Sequence, residues 1–191
     1  MNFMFFFNSI LLGVGLAMDA FSVSLANGLH EPCMKKRRMA LVAGVFAAFQ
    51  ILMPLLGYFC VSTIAEVFGA FQKFIPWIAL ALLSYIGGKM LYDGIKGGEE
   101  EECSAVGLSA LLIQGVATSI DALSVGFTIA NYTAFEALVS CLLIGAVTFV
   151  ICFAGVIIGK KAGTVLAGKA SIFGGAILIF IGIEIFVTGV F

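Results

Sequence analysis

Asp19 lies in "AMDAFSVSLANG", residues 17–28, and is the only charge between the N-terminus and His30-Glu31. Asp121 lies in "SIDALSVGFTIA", residues 119–130, and is the only charge of that stretch. Polar groups share their helical faces. Gln114, Thr118, Asp121, Ser124 and Thr128 recur at spacings of four, three, three and four, which is one face of a helix, and each offers an oxygen. The matching face around Asp19 is Leu12, Gly15, Asp19, Ser22 and Ala26, with Asn27 at its edge. Any one Ser or Thr here is equally accounted for by a hydroxyl bond to the carbonyl four residues back. "FQILMPLLG" adds Gln50 and then Pro54, which lacks an N–H and clashes with the Gln50 carbonyl, so a kink and a freed carbonyl are expected beside a Gln side chain. No histidine falls inside an apolar run, and the cysteines are scattered. An oxygen set of this kind suits a hard divalent cation such as Mn2+, Mg2+ or Ca2+, or protons, rather than Cu(I) or Zn2+. Two carboxylates neutralise one divalent charge.

The elements that must hold these groups are membrane helices. A mean hydropathy of +1.17 with only 11% charged residues excludes a soluble domain built around a buried core. A bilayer span needs roughly 20 apolar residues. Six such runs are predicted, at about 4–28, 40–63, 73–95, 107–130, 134–159 and 168–191, joined by short polar connections. The first lacks a basic leader and carries Asp19 where a cleavable signal is apolar, so it is read as a retained helix. An isolated carboxylate at the bilayer centre costs about 3 kcal/mol on insertion scales, and such residues usually mark an ion or proton pathway. Nine of the ten basic residues fall at or near predicted loops 1–2, 3–4 and 5–6, which puts those loops in the cytoplasm and both termini outside. Only Lys73 dissents. The five cysteines form no CxxC or metal-finger spacing and read as small apolar fillers or free thiols.

Laying Asp19 on Asp121 pairs "GVGLAMDAFSVS" with "GVATSIDALSVG", and downstream "YIGGKMLYDGIK" pairs with "FIGIEIFVTGVF". The fold class expected is therefore an all-α membrane protein of six transmembrane helices, arranged as two three-helix repeats at 1–96 and 107–191 with an acidic cytoplasmic loop at 97–106. Three is odd, so the halves cross in opposite directions, a common plan of secondary transporters, with the site near the midplane between them. Gly168, Gly175, Gly182 and Gly189 form a seven-residue stripe, and Gly155 and Gly159 a GxxxG, both expected to serve helix packing.

The motifs "MDAFSVSLANG", "MPLLGY", "IGGKMLYDGIK", "SIDALSVG" and "GGAILIFIGIEI", in this order across essentially the whole chain, resemble the MntP manganese exporters of bacterial inner membranes, within the wider LysE-type exporter superfamily. The resemblance implies Mn2+ efflux, with Asp19 and Asp121 matching the family's intramembrane aspartates. Gln50 matches a helix-2 position that is polar in the family and sometimes acidic, and Asp93 stands where the helix-3 motif commonly carries Glu. Ser22 and Ser124 stand where the family usually has Ala. The expected ion site is thus Asp19, Asp121 and Gln50, with Asn27, Ser124 and Asp93 as further oxygens. Mn2+ or a similar hard divalent cation is the transported substrate and no cofactor is expected. The bilayer is the other partner, a homo-oligomer is left open, and nucleic acid plays no part. No P-loop is present, so ATP is not the direct energy source. Proton exchange through the same carboxyls is compatible with this plan. The alternatives are export of another solute, a different divalent ion or an amino acid, and a non-transport membrane subunit with structural aspartates. Glu184 stands opposite Lys89 in the repeat alignment, where it could pair with that lysine or lie in the pathway. The acidic run at 99–102 reads as a solvated loop or a cation attractor, and His30-Glu31 as a loop or a catch for a passing cation.

Overall fold

The computed structural model describes residues 3–60, 75–95, 106–130, 132–166 and 170–190. Among these the chain is all helical: α1 (Phe3–His30), α2 (Lys36–Cys60), α3 (Ile75–Ile95), α4 (Leu108–Ala117), α5 (Ile120–Thr128), α6 (Ala134–Leu166) and α7 (Ala170–Val190). Three are long and apolar enough to cross a membrane, namely α1, α2 and α6, and α4 with α5 make a fourth if that bent pair is one span. Their outward faces carry large apolar side chains such as Phe7, Leu52, Leu142 and Val150. A hydrocarbon surrounding asks for that surface, because helices satisfy their own backbone and need no polar exterior.

Four expectations need correcting. The stretch 107–130 is not one straight helix: it bends by 45° between α4 and α5. Lys160 and Lys161 lie inside α6, which runs on to Leu166, rather than in a loop. α2 starts earlier than expected, at Lys36, and passes through Pro54 without a break. Cys33 is disulfide-bonded rather than free. No other cysteine lies near it in the sequence, so spacing carried no signal for it. Cys141 and Cys152 are free and buried, as expected of apolar fillers.

Backbones approach closely wherever glycine permits. The main pairings are α1 with α6, α3 with α7, α2 with α6 and α2 with α5. On α6, Gly155, Gly159 and Gly163 lie against the carbonyls of Phe21, Leu25 and Leu29 of α1, one glycine per turn against one carbonyl per turn. Gly87 of α3 and Gly175 of α7 each face the other's carbonyl. The GxxxG and the described part of the glycine stripe thus serve packing, since a missing Cβ lets two helices share a smooth surface. Buried hydroxyls add a link between α1 and α6, where Ser9 Oγ and Ser140 Oγ lie 2.9 Å apart.

A pair of substitutions separates packing from propensity. A Cβ on Gly126 would meet only backbone, the Gly57 Cα and Pro54 O at 2.5 Å and the Tyr58 N at 2.6 Å. Gly44 of α2 has open space around the same position. Gly126→Ala is expected to destabilise the detergent-purified protein by about 1–3 kcal/mol, the usual cost of overpacking. Gly44→Ala gains up to about 1 kcal/mol of helix propensity. Opposite shifts in melting temperature test this, and equal shifts would refute it.

Candidate functional site

The bend that separates α4 from α5 begins with two hydroxyls. Thr118 Oγ1 donates to Gln114 O at 2.9 Å, and Ser119 Oγ donates to Gly115 O at 2.7 Å. Two successive back-bonds of this kind bend a helix, although Gln114 O also keeps the Thr118 N–H at 3.0 Å. The Ser119 N–H then bonds Val116 O at 3.2 Å, a tightened final turn. Asp121 falls in the first turn of α5, and its Oδ1 accepts the Ala122 N–H at 2.8 Å. In an unbroken helix that N–H would go to Thr118 O. The carboxylate therefore caps the helix it begins, where negative charge is favoured by the exposed amides.

Gln50, on α2, enters this break. Its Nε2 donates to Thr118 O at 3.1 Å and to Leu16 O of α1 at 3.2 Å. Its Oε1 is buried and has no hydrogen-bond partner. Asp19 stands one turn beyond Leu16 on α1, half-buried. Asp121 is within Coulombic reach of Asp19, and Asp19 within reach of Glu184 on α7. So α1, α2, α5 and α7 together bring two aspartates, a glutamate and a Gln amide into one neighbourhood. Among the described residues no group of three or more His, Cys, Asp or Glu is arranged to hold a metal by itself. Any cation here would need amide or backbone oxygens as well.

Asn27 and Gln114 lie on the other side of the break, both fully buried. Their amides bond reciprocally, Asn27 Nδ2 to Gln114 Oε1 at 2.8 Å and Gln114 Nε2 to Asn27 Oδ1 at 3.3 Å. Beyond them, Arg38 Nε bonds both Glu31 oxygens, at 3.0 and 3.1 Å, and Lys160 Nζ donates to Met34 O at 2.8 Å. Glu31 is thus engaged by arginine. In the opposite direction a cavity of about 550 Å3 runs from Asp121 past Leu16, Leu12 and Thr128 to Asn8 and Tyr132. Among the described residues the cavity thus lies on one side of the break, with Asp121 in its wall, and the amide pair and the ion pair lie on the other.

Of the other residues singled out from sequence, Ser124 lies exposed one turn after Asp121, while the Asp93 side chain, Lys73 and the acidic run at 99–102 fall outside the described residues. The Ser22 hydroxyl donates to Met18 O, four residues back, at 3.1 Å, one of the two readings open for it, and the Thr128 hydroxyl donates to Val125 O, three residues back, at 2.7 Å. Sequence reasoning placed Gln114 on the polar face but did not see its partner. Its only signal was that a Gln in an apolar run needs one.

No solved structure matches the chain. A protein from Ruminiclostridium cellulolyticum named "Putative manganese efflux pump MntP" is 42% identical over 184 residues, covering 95% of each chain. Relatives of the same name from Methanosarcina mazei and Saccharophagus degradans are 40% and 41% identical, each covering 95% of this chain and 96% and 98% of their own. A family model described as "Putative manganese efflux pump" matches residues 33–186. With that match spanning most of the chain, and relatives near 40% identity along nearly its full length, the protein belongs to the Mntp family.

Proposed function

We propose that this protein is a secondary transporter that exports Mn2+ from the cytoplasm by alternating access, with the ion held between Asp19 and Asp121. The observation that carries the reading is that two aspartates far apart in sequence come within Coulombic reach of each other, one of them, Asp121, lining a cavity. Two like charges held close together repel unless a cation or protons join them. Gln50 Oε1 supplies a neutral oxygen and Ser124 a weaker one, and Asn27 contributes its oxygen once it parts from Gln114. Asp93 is assigned a ligand role on its motif alone.

Six spans in two inverted repeats, 1–96 and 107–191, remain the architecture proposed. Helix pairing supports it, because the strong pairings join one half to the other rather than neighbours within a half. Gly57 lies against the carbonyl of Leu123, and Gly155 against that of Phe21. Leu123 and Phe21 each follow their aspartate by two residues, so each half presents the same carbonyl to a glycine of the other. Gly87 with Gly175, and Gly182 with Leu80, make a second such pair. One half carries an unbroken α1 and the other a broken α4–α5, a difference that alternation between two states of one plan would exchange.

The end bearing Arg38, Lys160 and the Asn27–Gln114 pair is read as cytoplasmic, and the cavity then opens outward. Glu184, within Coulombic reach of Asp19, is assigned to the pathway. The test is Mn2+ flux into proteoliposomes by the purified chain, measured beside Mg2+, Ca2+ and a cationic amino acid. Saturable Mn2+ flux is expected. Flux of the amino acid without Mn2+ would reassign the substrate, and no flux of any of them in folded protein would favour a structural subunit.

A further inference from the structure

The two carbonyls bound by Gln50 are equivalent positions. Leu16 precedes Asp19 by three residues and Thr118 precedes Asp121 by three, so the superposition that lays one aspartate on the other also lays one carbonyl on the other. Gln50 Nε2 lies almost equally far from both, at 3.2 and 3.1 Å. A single NH2 shared by two equivalent acceptors sits where an axis relating the halves would pass. Both partners are pure acceptors, so the amide orientation is fixed by chemistry. The cost falls on Oε1, which is buried with no partner. Each carbonyl can accept a further ligand. Thr118 O has lost the Ala122 N–H to Asp121 Oδ1, and Leu16, inside an unbroken helix, binds Gln50 through its second lone pair.

We propose that the carbonyl oxygens of Leu16 and Thr118, together with Gln50 Oε1, are ligands of the transported divalent cation, and that the Gln50 amide turns between two rotamers to admit it. The inference rests on the reading of Asp19 and Asp121 as the ion's charge partners. In the rotamer seen here the partly positive NH2 hydrogens occupy the cradle between the carbonyls. Half a turn about the last side-chain bond points Oε1 into the same cradle and gives the orphaned oxygen a partner. Three neutral oxygens plus two carboxylates make five donors, and water completes the roughly six that a hard cation of this size takes. With Oε1 in the place of Nε2, at 3.2 and 3.1 Å from the two carbonyls, the oxygens already have the spacing of about 3 Å that neighbours in an octahedral shell around such a cation take.

The test is Mn2+ binding and electron–nuclear double resonance on the full detergent-purified chain labelled with threonine carrying 13C at the carbonyl. A coupling from a 13C about 3 Å from Mn2+ is expected, and it should vanish in a Thr118→Val variant made with the same label. Gln50→Leu is expected to weaken Mn2+ binding about tenfold or more. Gln50→Glu keeps an oxygen and should bind Mn2+ at least as well as wild type. If Gln50 were only a strut, Gln50→Glu would repel both carbonyls and bind worse. Mn2+ bound in an Asp19- and Asp121-dependent way, but with no 13C coupling and with Gln50→Leu unchanged, overturns the inference and leaves the aspartate reading standing. Mn2+ binding indifferent to Asp19→Asn and Asp121→Asn, or none at all, removes both.

Discussion

Asp121→Asn and Asp19→Asn are each expected to lower Mn2+ flux in proteoliposomes by about 100-fold or more, at matched amounts of folded protein. Asparagine is nearly isosteric with aspartate and retains an acceptor oxygen. Asp121→Asn can therefore still take the Ala122 N–H that opens α5, and the bend survives the change. What disappears is one unit of negative charge. For a partly buried ionic partner the loss is taken at about 3 kcal/mol, the low end of the range for buried ones, and each 1.4 kcal/mol is a factor of ten. Asp121→Ala is the poorer probe, since it removes the helix cap along with the charge. Full flux in both Asn variants would make the aspartates structural and move the search to Gln50, Asp93 and Glu184.

How much of this was legible beforehand varies by residue. The paired aspartates were visible because a charge in an apolar run is rare and a repeated one rarer. The glycines of α6 were visible because their spacing matches the helical turn. The bend at Thr118–Ser119 was not, since neither Gly nor Pro stands there and Thr118 was counted as one more oxygen on a polar face. Two adjacent hydroxyls just after Gln114 and Gly115 were the missed sign, because each can bond back and together they compete with the ladder. Pro54 drew attention to α2, which runs on through it, while the broken backbone lies in the neighbour it packs against. The partners of Asn27 and Gln50 come from elements remote in sequence and needed the fold.

The second large effect concerns the amide pair. Asn27 and Gln114 exchange two hydrogen bonds in full burial. If this layer is the cytoplasmic gate, it must open in every cycle. An amide pair is suited to that, because opening trades protein hydrogen bonds for water at a net cost of only about 0.5–1.5 kcal/mol each. Leucines of similar size would behave otherwise. Burying a Leu side chain is worth about 1.5–3 kcal/mol, so an Asn27→Leu, Gln114→Leu double variant holds the gate shut by several kcal/mol. Its Mn2+ flux should fall at least about tenfold, while Mn2+ binding from the cavity side and melting temperature stay near or above wild type. Each single Leu variant strands the other amide, costs about 1–3 kcal/mol, and should melt lower than the double. That non-additivity tests the contact, and the flux of the double variant tests the gate. A double variant that is stable, binds Mn2+ and transports at the wild-type rate would show that the amide pair only fastens α1 to α4.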